Sequence, residues 1–481
     1  MKKVVYLGFV LEFFALMLFY GYAYPIVPFW GDDFQYMNTY PTLTLSLASD
    51  GWMPSRLLPQ YIQTSIAHLA AYVIMPLTNL DFLDSIASAS ALVLSSAFVG
   101  FHILLYLCAF ILTTHKIKSL LLSSIFMLGC VTLAKSQMMP LLLPADLMAE
   151  GMGYLLTMVC FYTLPYLINL GLVVGIFILV LQGKDSLSTQ ITIRGGAILI
   201  IVYLAIFSME SASIILASYA GCILTYRTLL SYKYHKKLLM VFKTYTLFDL
   251  CLVLIVILWA VALWKMMHSG RAMYCADFAI IRGITYFHTT LNNIRSGFIL
   301  LFGITCILSL LGIYLIKDSR HRLLLITLNL WIICLVIFYI LTTSKCGAKW
   351  YLMSGLLMAM LVYMVISLSI VATKYKISYI FVSLLFFIAC FQTLQPYQER
   401  PRKAYNDFKT YSQSWIEQAQ QAQQNGQTHV DIYVPDHFGH HRWNNWFAPH
   451  FPKTLQTYGI LQTNLIVTFK PLSSQSSLSK E

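Results

Sequence analysis

Apolar runs of roughly twenty residues recur along this chain, and that recurrence limits its fold more than any other feature. A membrane-spanning helix needs about 20 apolar residues. Runs of this kind lie near 4–26, 87–113, 119–135, 152–181, 195–208, 211–230, 247–267, 297–316, 323–343, 350–372 and 377–394. Inside a bilayer every backbone N–H and C=O must find its partner within the protein, so only helices and closed barrels can span. The runs are long and do not alternate polar with apolar, so they predict helices. The chain is 58% hydrophobic and 11% charged, against roughly 25% charged in soluble domains. The fold class expected is an all-α polytopic membrane protein with about eleven transmembrane helices. Lys2 and Lys3 precede the first run as in a signal peptide. That run is too long for a signal core and no small-x-small cleavage site follows it, so it is expected to stay as the first helix.

Charge then sets orientation. The net charge of +13 would suit a nucleic-acid binder, but the charges sit in short loops between apolar runs, so no nucleic-acid partner is expected. With the N-terminus inside, sixteen Lys and Arg fall in inner loops and eight in outer ones. Such a bias marks the cytoplasmic side. Eleven crossings place the C-terminus outside. Residues 57–76 are also apolar enough to cross, but a crossing there would reverse the bias. They are expected to lie in the outer interface, within a first outer loop of about 27–86. Acidic residues are more one-sided: only Asp185, Asp249 and Asp318 fall inside. Either a working outer surface or simply longer, more polar outer loops accounts for that skew. The tail, about 395–481, is expected to be a small α/β appendage outside the membrane. It has a Gln-rich helical stretch and two strand-like runs, at 429–435 and 464–469.

Several residues carry candidate chemistry. The first outer loop opens with Trp30-Gly-Asp-Asp-Phe34. A carboxylate at the membrane surface can take a proton from an acceptor hydroxyl or orient it. Asp32 with Gln35 three residues on also fits a capping box, which explains one aspartate more easily than two. Arg56, later in the loop, suits bidentate phosphate contacts or interfacial anchoring. Glu210 lies at the junction of two spans, where an ionisable group is costly; it reads as functional or as a loop-exposed turn residue. Glu12, inside the first span, reads as an intramembrane hydrogen-bonding group. The loop at 265–296 holds Lys265, His268, Arg271, Arg282, His288 and Arg295, and Lys345 and Lys349 follow the ninth span. Such a cluster suits a lipid phosphate or ordinary anionic head groups. In the tail, Trp443, Asn444, Asn445 and Trp446 offer ring faces and amides suited to sugars or to packing. His437, His440 and His441 lack a recognised metal spacing, so no metal or other cofactor is expected. Ten cysteines lie mostly in spans; Cys275 and Cys346 are in outer loops and can pair there.

The first helix followed by Trp30-Gly-Asp-Asp-Phe34 in a large outer loop with interfacial helices resembles the GT-C superfamily of membrane glycosyltransferases. Within it the chain is most similar to bacterial glucosyltransferase-type proteins that modify O-antigen or other surface polysaccharide. Ser208-Met-Glu-Ser211 is similar to an acidic motif of such proteins. His268-Ser-Gly-Arg271 resembles their Pro-Gly-Asn loop but lacks the Pro and the Asn. The resemblance implies a polyprenyl-phosphate-linked sugar donor and a glycan or lipid-linked glycan acceptor. It also implies work at the periplasmic face of a bacterial inner membrane, with membrane lipids as further partners. It favours Asp32, the first acidic residue after the first helix, as the catalytic group, with Asp33 kept beside it. Arg56, Arg271, Lys345 or Lys349 would hold the departing phosphate, Glu210 would orient donor or acceptor, and Trp443 would meet a sugar. A transporter or flippase of lipid-linked glycan, or a polysaccharide polymerase or ligase, is the alternative.

Overall fold

The computed structural model describes residues 2–29, 31–38, 56–132, 156–183, 193–236, 243, 245–267, 277–294, 296–346, 350–375, 379–391, 399–434 and 447–471. Its helices are, in chain order, α1 (Lys2–Leu18), α2 (Gly31–Asn38), α3 (Leu57–Leu69), α4 (Met75–Thr78), α5 (Phe82–Thr113), α6 (Lys116–Thr132), α7 (Leu156–Met158), α8 (Leu164–Leu181) and α9 (Ile193–Ile206). There follow α10 (Glu210–His235), α11 (Leu247–Met267), α12 (Ile280–Asn293), α13 (Ser296–Leu315), α14 (Ser319–Cys346), α15 (Trp350–Lys374), α16 (Tyr379–Phe391), α17 (Glu399–Gln424) and α18 (Phe451–Thr457). The π-helical turns Phe19–Ala23, Ala70–Ile74 and Val159–Thr163 extend α1, join α3 to α4, and join α7 to α8.

Among the described residues, eight helices are long and apolar enough to cross a bilayer: Val5–Ala23, Phe82–Thr113, Leu156–Leu181, Ser211–His235, Leu247–Lys265, Ser296–Leu315, Ser319–Lys345 and Met353–Lys374. This makes the chain a multi-pass helical membrane protein. The other three apolar runs are helical as well, but shorter: α6, α9 and α16 have 17, 14 and 13 residues. The 57–76 run forms α3 and α4 with the π turn between them, and is not among the eight.

Polar pairs lock the helices where hydrocarbon offers no water. Glu12 Oε2 meets His102 Nδ1 at 2.7 Å, and His102 Nε2 meets Ser123 Oγ at 3.0 Å, so one chain of groups ties α1, α5 and α6 together. Arg227 on α10 grips Asp249 on α11 at 2.6 Å. The indole N–H of Trp331 on α14 donates to the Ile215 carbonyl at 2.9 Å. Helix α15 runs through the middle, with 94% of its spanning stretch buried. Helix α12 is an addition to the expected architecture. It leans so closely on α14 that a Cβ on Gly283 would stand 2.2 Å from the Ile340 carbonyl oxygen. Only glycine allows that approach.

The tail folds as its pattern suggests. Helix α17 precedes two strands, β1 (His429–Val434) and β2 (Ile466–Pro471), which pair in parallel from His429↔Ile466 to Val434↔Pro471. Trp415, Phe447, Phe451 and Phe469 gather into one aromatic cluster. Phe29 and Phe34 of the first loop enter it, Phe29 at 5.2 Å from Trp415 and Phe34 at 5.1 Å from Phe451. Ser412 Oγ also donates to the Pro28 carbonyl at 2.8 Å. The tail thus clamps the first loop.

Trp415 is 1% exposed, so Trp415→Ala should cost about 3–5 kcal/mol through transfer and cavity terms. Thermal melting of the detergent-purified protein is expected to drop accordingly; an unchanged melt would show that the cluster does not hold the loop and tail together.

Candidate functional site

The paired aspartates are treated differently by the fold. Helix α2 starts at Gly31, so both fall in its first turn, where the helix N-terminus favours negative charge. Asp33 is fully buried. Its Oδ2 accepts the Phe29 N–H at 2.9 Å, and its Oδ1 accepts the N–H and hydroxyl of Thr157 at 2.7 and 2.6 Å. Gln63 Nε2 donates to the Asp33 carbonyl at 3.0 Å and to Thr157 Oγ1 at 3.1 Å. Asp33, third in α2, thus reaches back to a backbone N–H before the helix, the part a capping box at Asp32 would give to Gln35. Both carboxylate oxygens of Asp33 are engaged, and with its carbonyl they join α2, α3 and α7.

Asp32 is only partly buried, and its charge is felt by His450 in the tail. Burial pushes the His450 imidazole below its ordinary pKa, Lys453 pushes it further, and Asp32 pulls it partly back. The tail is fastened here by Thr454 Oγ1, which donates to the Phe34 carbonyl at 2.6 Å, and by the Tyr458 hydroxyl on the Met37 carbonyl.

Arg56 stands on the far side of the same group. Its φ is 82°, in the left-handed region, a cost of about 1–2 kcal/mol for a residue with a Cβ. Its N–H donates to the Phe207 carbonyl at 2.9 Å, which attaches the loop to the turn leading into α10. The guanidinium lies 5.2 Å over the Phe161 ring, and Nε is buried without a hydrogen-bond partner among the described residues. Glu210 is the first residue of α10, after an extended Met209; its side chain lies outside the described residues. Asn169 supports this turn, its Nδ2 donating to the Ala205 carbonyl at 3.2 Å. So Asp33, Arg56 and the turn before α10 come together around the π turn between α7 and α8, with Asp32 next to Asp33 in the first turn of α2.

The outer cations are grouped elsewhere. Lys345 is partly buried in the last turn of α14, and the Ser344 carbonyl beside it accepts the Ala279 N–H just before α12 at 3.0 Å. Arg282 is carried on α12, and Lys265 lies 5.6 Å over the Trp264 ring at the end of α11. No described contact links these to Asp32 or Arg56. Arg271, Lys349, Trp443, the three tail histidines and Cys275 lie outside the described residues, as does the side chain of Cys346. Below α12 an apolar cavity of about 570 Å³ opens between α12, α13, α14 and α15, lined by Phe287, Phe298, Phe302, Ile333 and Met360.

Thr157, Gln63 and His450 were not expected from sequence. Gln63 carried a signal, as a polar side chain in an apolar helical run; Thr157 and His450 carried none. No family model, curated protein or solved structure matches the chain.

Hydrogen bonds to a charged group are worth about 1.5–3 kcal/mol each, and Asp33 accepts three. Asp33→Ala is expected to destabilise the protein by several kcal/mol, whereas Asp32→Asn stays within about 1 kcal/mol of wild type. Parallel thermal melts check this; equal losses from both would remove the distinction.

Proposed function

We propose that this protein is a membrane glycosyltransferase that moves a sugar from a polyprenyl-phosphate donor onto a glycan or lipid-linked glycan. The observation that carries the reading is the buried Asp33 anchor: it fixes the partly buried Asp32 in the first turn of α2 and bonds to Thr157, just before the π turn whose Phe161 carries the phosphate-suited Arg56. In the reaction the acceptor hydroxyl attacks the anomeric carbon with inversion. Asp32 takes the hydroxyl proton, and the bond from sugar to phosphate breaks with its electron pair going to the lipid phosphate. Arg56 meets that departing charge with a guanidinium that is already partly desolvated. Asp33 acts as a positioning residue. Arg271, Lys345 and Lys349 hold the lipid phosphate, Glu210 orients donor or acceptor, and Trp443 offers a ring face to sugar. The apolar cavity under α12 suits the polyprenyl chain.

The site lies on the periplasmic side of a bacterial inner membrane in this proposal, with eleven crossings. Packing of the first loop against the tail supports that number. Between them the chain must cross an even number of times to return to one side. The long helices α5, α8, α10, α11, α13, α14 and α15 give seven crossings. Adding α6, α9 and α16 gives ten. A membrane-impermeant maleimide is expected to label Thr428→Cys in intact spheroplasts and Asp318→Cys only after permeabilisation; the reverse pattern would invert the orientation.

A transporter of lipid-linked glycan is the second reading, favoured by the Glu12–His102 pair inside the membrane. Mass spectrometry of the surface glycan and lipid-linked sugars separates the two. The strains are a deletion complemented with wild type, Asp32→Asn or Arg56→Ala at matched membrane levels. Loss of one sugar from the glycan is expected in Asp32→Asn, with transfer slowed about 10²–10⁴-fold and donor lipid accumulating. A complete glycan in that strain would reject the catalytic role of Asp32.

A further inference from the structure

A second, differently charged site lies at the opposite end of α10 from Glu210. At 1.5 Å per residue the 26 residues of α10 separate the two ends by about 39 Å. Here an open pocket of about 700 Å³ lies between the last turns of α10, the start of α11 and the first turn of α14. We propose that this pocket binds a phosphate-bearing group, the headgroup phosphate of an anionic lipid or a soluble phosphate compound.

The lining is cationic well beyond its acidic content. Arg227, Lys233, Arg320 and Arg322 face it, against the single carboxylate of Asp249 among the described residues. That carboxylate is already engaged: Arg227 Nε holds Oδ1 at 2.6 Å, and Arg227 Nη2 reaches Oδ2 at 3.2 Å. The N–H and hydroxyl of Thr246 donate to the same Oδ2 at 2.9 and 2.8 Å. Asp318, the nearest acid in sequence to the two α14 arginines, is engaged by His321 at 2.6 Å and Lys374 at 3.2 Å. The Arg320 guanidinium donates from Nη1 to the Leu181 carbonyl at 3.3 Å, and its backbone N–H donates to Asp318 Oδ1 at 3.0 Å. Lys233 and Arg322 have no acidic partner among the described residues. The pocket therefore has positive charge left after its internal pairs are formed.

Other features point to the same ligand. The first turns of α11 and α14 both border the pocket, and helix N-termini favour anions. Ser231 and Tyr245 add hydroxyls to the lining. The bias of Lys and Arg toward one membrane side explains cations in loops. It does not explain their convergence from separate helices on one concavity whose Asp249 is already neutralised. Basic pockets between transmembrane helices are suited to phosphate head groups.

The test uses the full-length protein in nanodiscs of phosphatidylcholine with a minor fraction of phosphatidylglycerol. Native mass spectrometry reads the lipid retained. Compared are wild type, Lys233→Gln/Arg322→Gln, and a control, Lys116→Gln/Lys118→Gln, that removes two cations elsewhere on the same membrane side. Each surface cation contributes about 1 kcal/mol to anionic lipid binding, so the pocket variant is expected to retain phosphatidylglycerol at least about tenfold less than wild type. The control should match wild type. Pyrophosphate is added in a parallel arm: displacement of the lipid assigns the pocket to soluble phosphates, and persistence of the lipid assigns it to a headgroup. Should the double variant purify poorly, Arg322→Gln alone is read, since Arg322 is exposed and its loss is mild for the fold. Retention equal to wild type in the pocket variant, or an equal loss in the control, would overturn the proposal.

Discussion

Two carboxylates stand side by side at the start of α2, and the fold depends on their unequal treatment. A buried carboxylate is costly unless its oxygens are fully engaged, and Asp33 meets that condition with donors from its own loop and from Thr157, 124 residues on. Once the bond to Thr157 forms, the first loop can no longer move independently of α7 and the π turn above α8. Gln63 adds α3 to the same junction. The position of Asp32 then follows from a single residue step along α2. One aspartate is fixed in the interior and the other, one step along, stays partly open to solvent.

The same division runs through the membrane interior. Ionisable groups are rare in the spans, and among the described residues Glu12 pairs with His102 and Arg227 with Asp249. Each pair joins neighbouring helices, so the polar contacts specify which apolar surfaces meet. Dispersion and lipid displacement favour helix association in general, but they select partners weakly. The hydrogen-bonded pairs add that selectivity, as the indole of Trp331 does between α14 and α10.

Much of this architecture was legible in the sequence. Each of the eleven apolar runs coincides with a helix, since hydropathy alone reports what a span requires. The strand-like runs at 429–435 and 464–469 overlap β1 and β2, and Glu12 reads as a hydrogen-bonding group because hydrocarbon permits little else. Partners were not legible. Nothing near Thr157 marks it as the ligand of Asp33, and nothing near His102 marks it as that of Glu12. The i, i+3 pattern of Asp32 with Gln35 allows a capping box, but the helix begins two residues earlier than that pattern needs. The docking of Phe29 and Phe34 into the tail lay equally beyond reach, because aromatic residues at 29, 34, 415 and 451 show no periodicity that links them. Helix α12 was read as a charged loop, since its polar face carries the cations that drew attention.

The clamp between the two ends of the chain has a consequence for biogenesis. Helix α2 and the residues around Asp32 are synthesised well before their covering elements, α17, β1, α18 and β2. Through most of translation the first loop therefore carries Phe29 and Phe34 uncovered, with the Phe34 and Met37 carbonyls lacking the Thr454 and Tyr458 donors. The packing around α2 is complete only once these elements are in place, so a chain lacking them would possess the spans and both aspartates without the finished geometry around them.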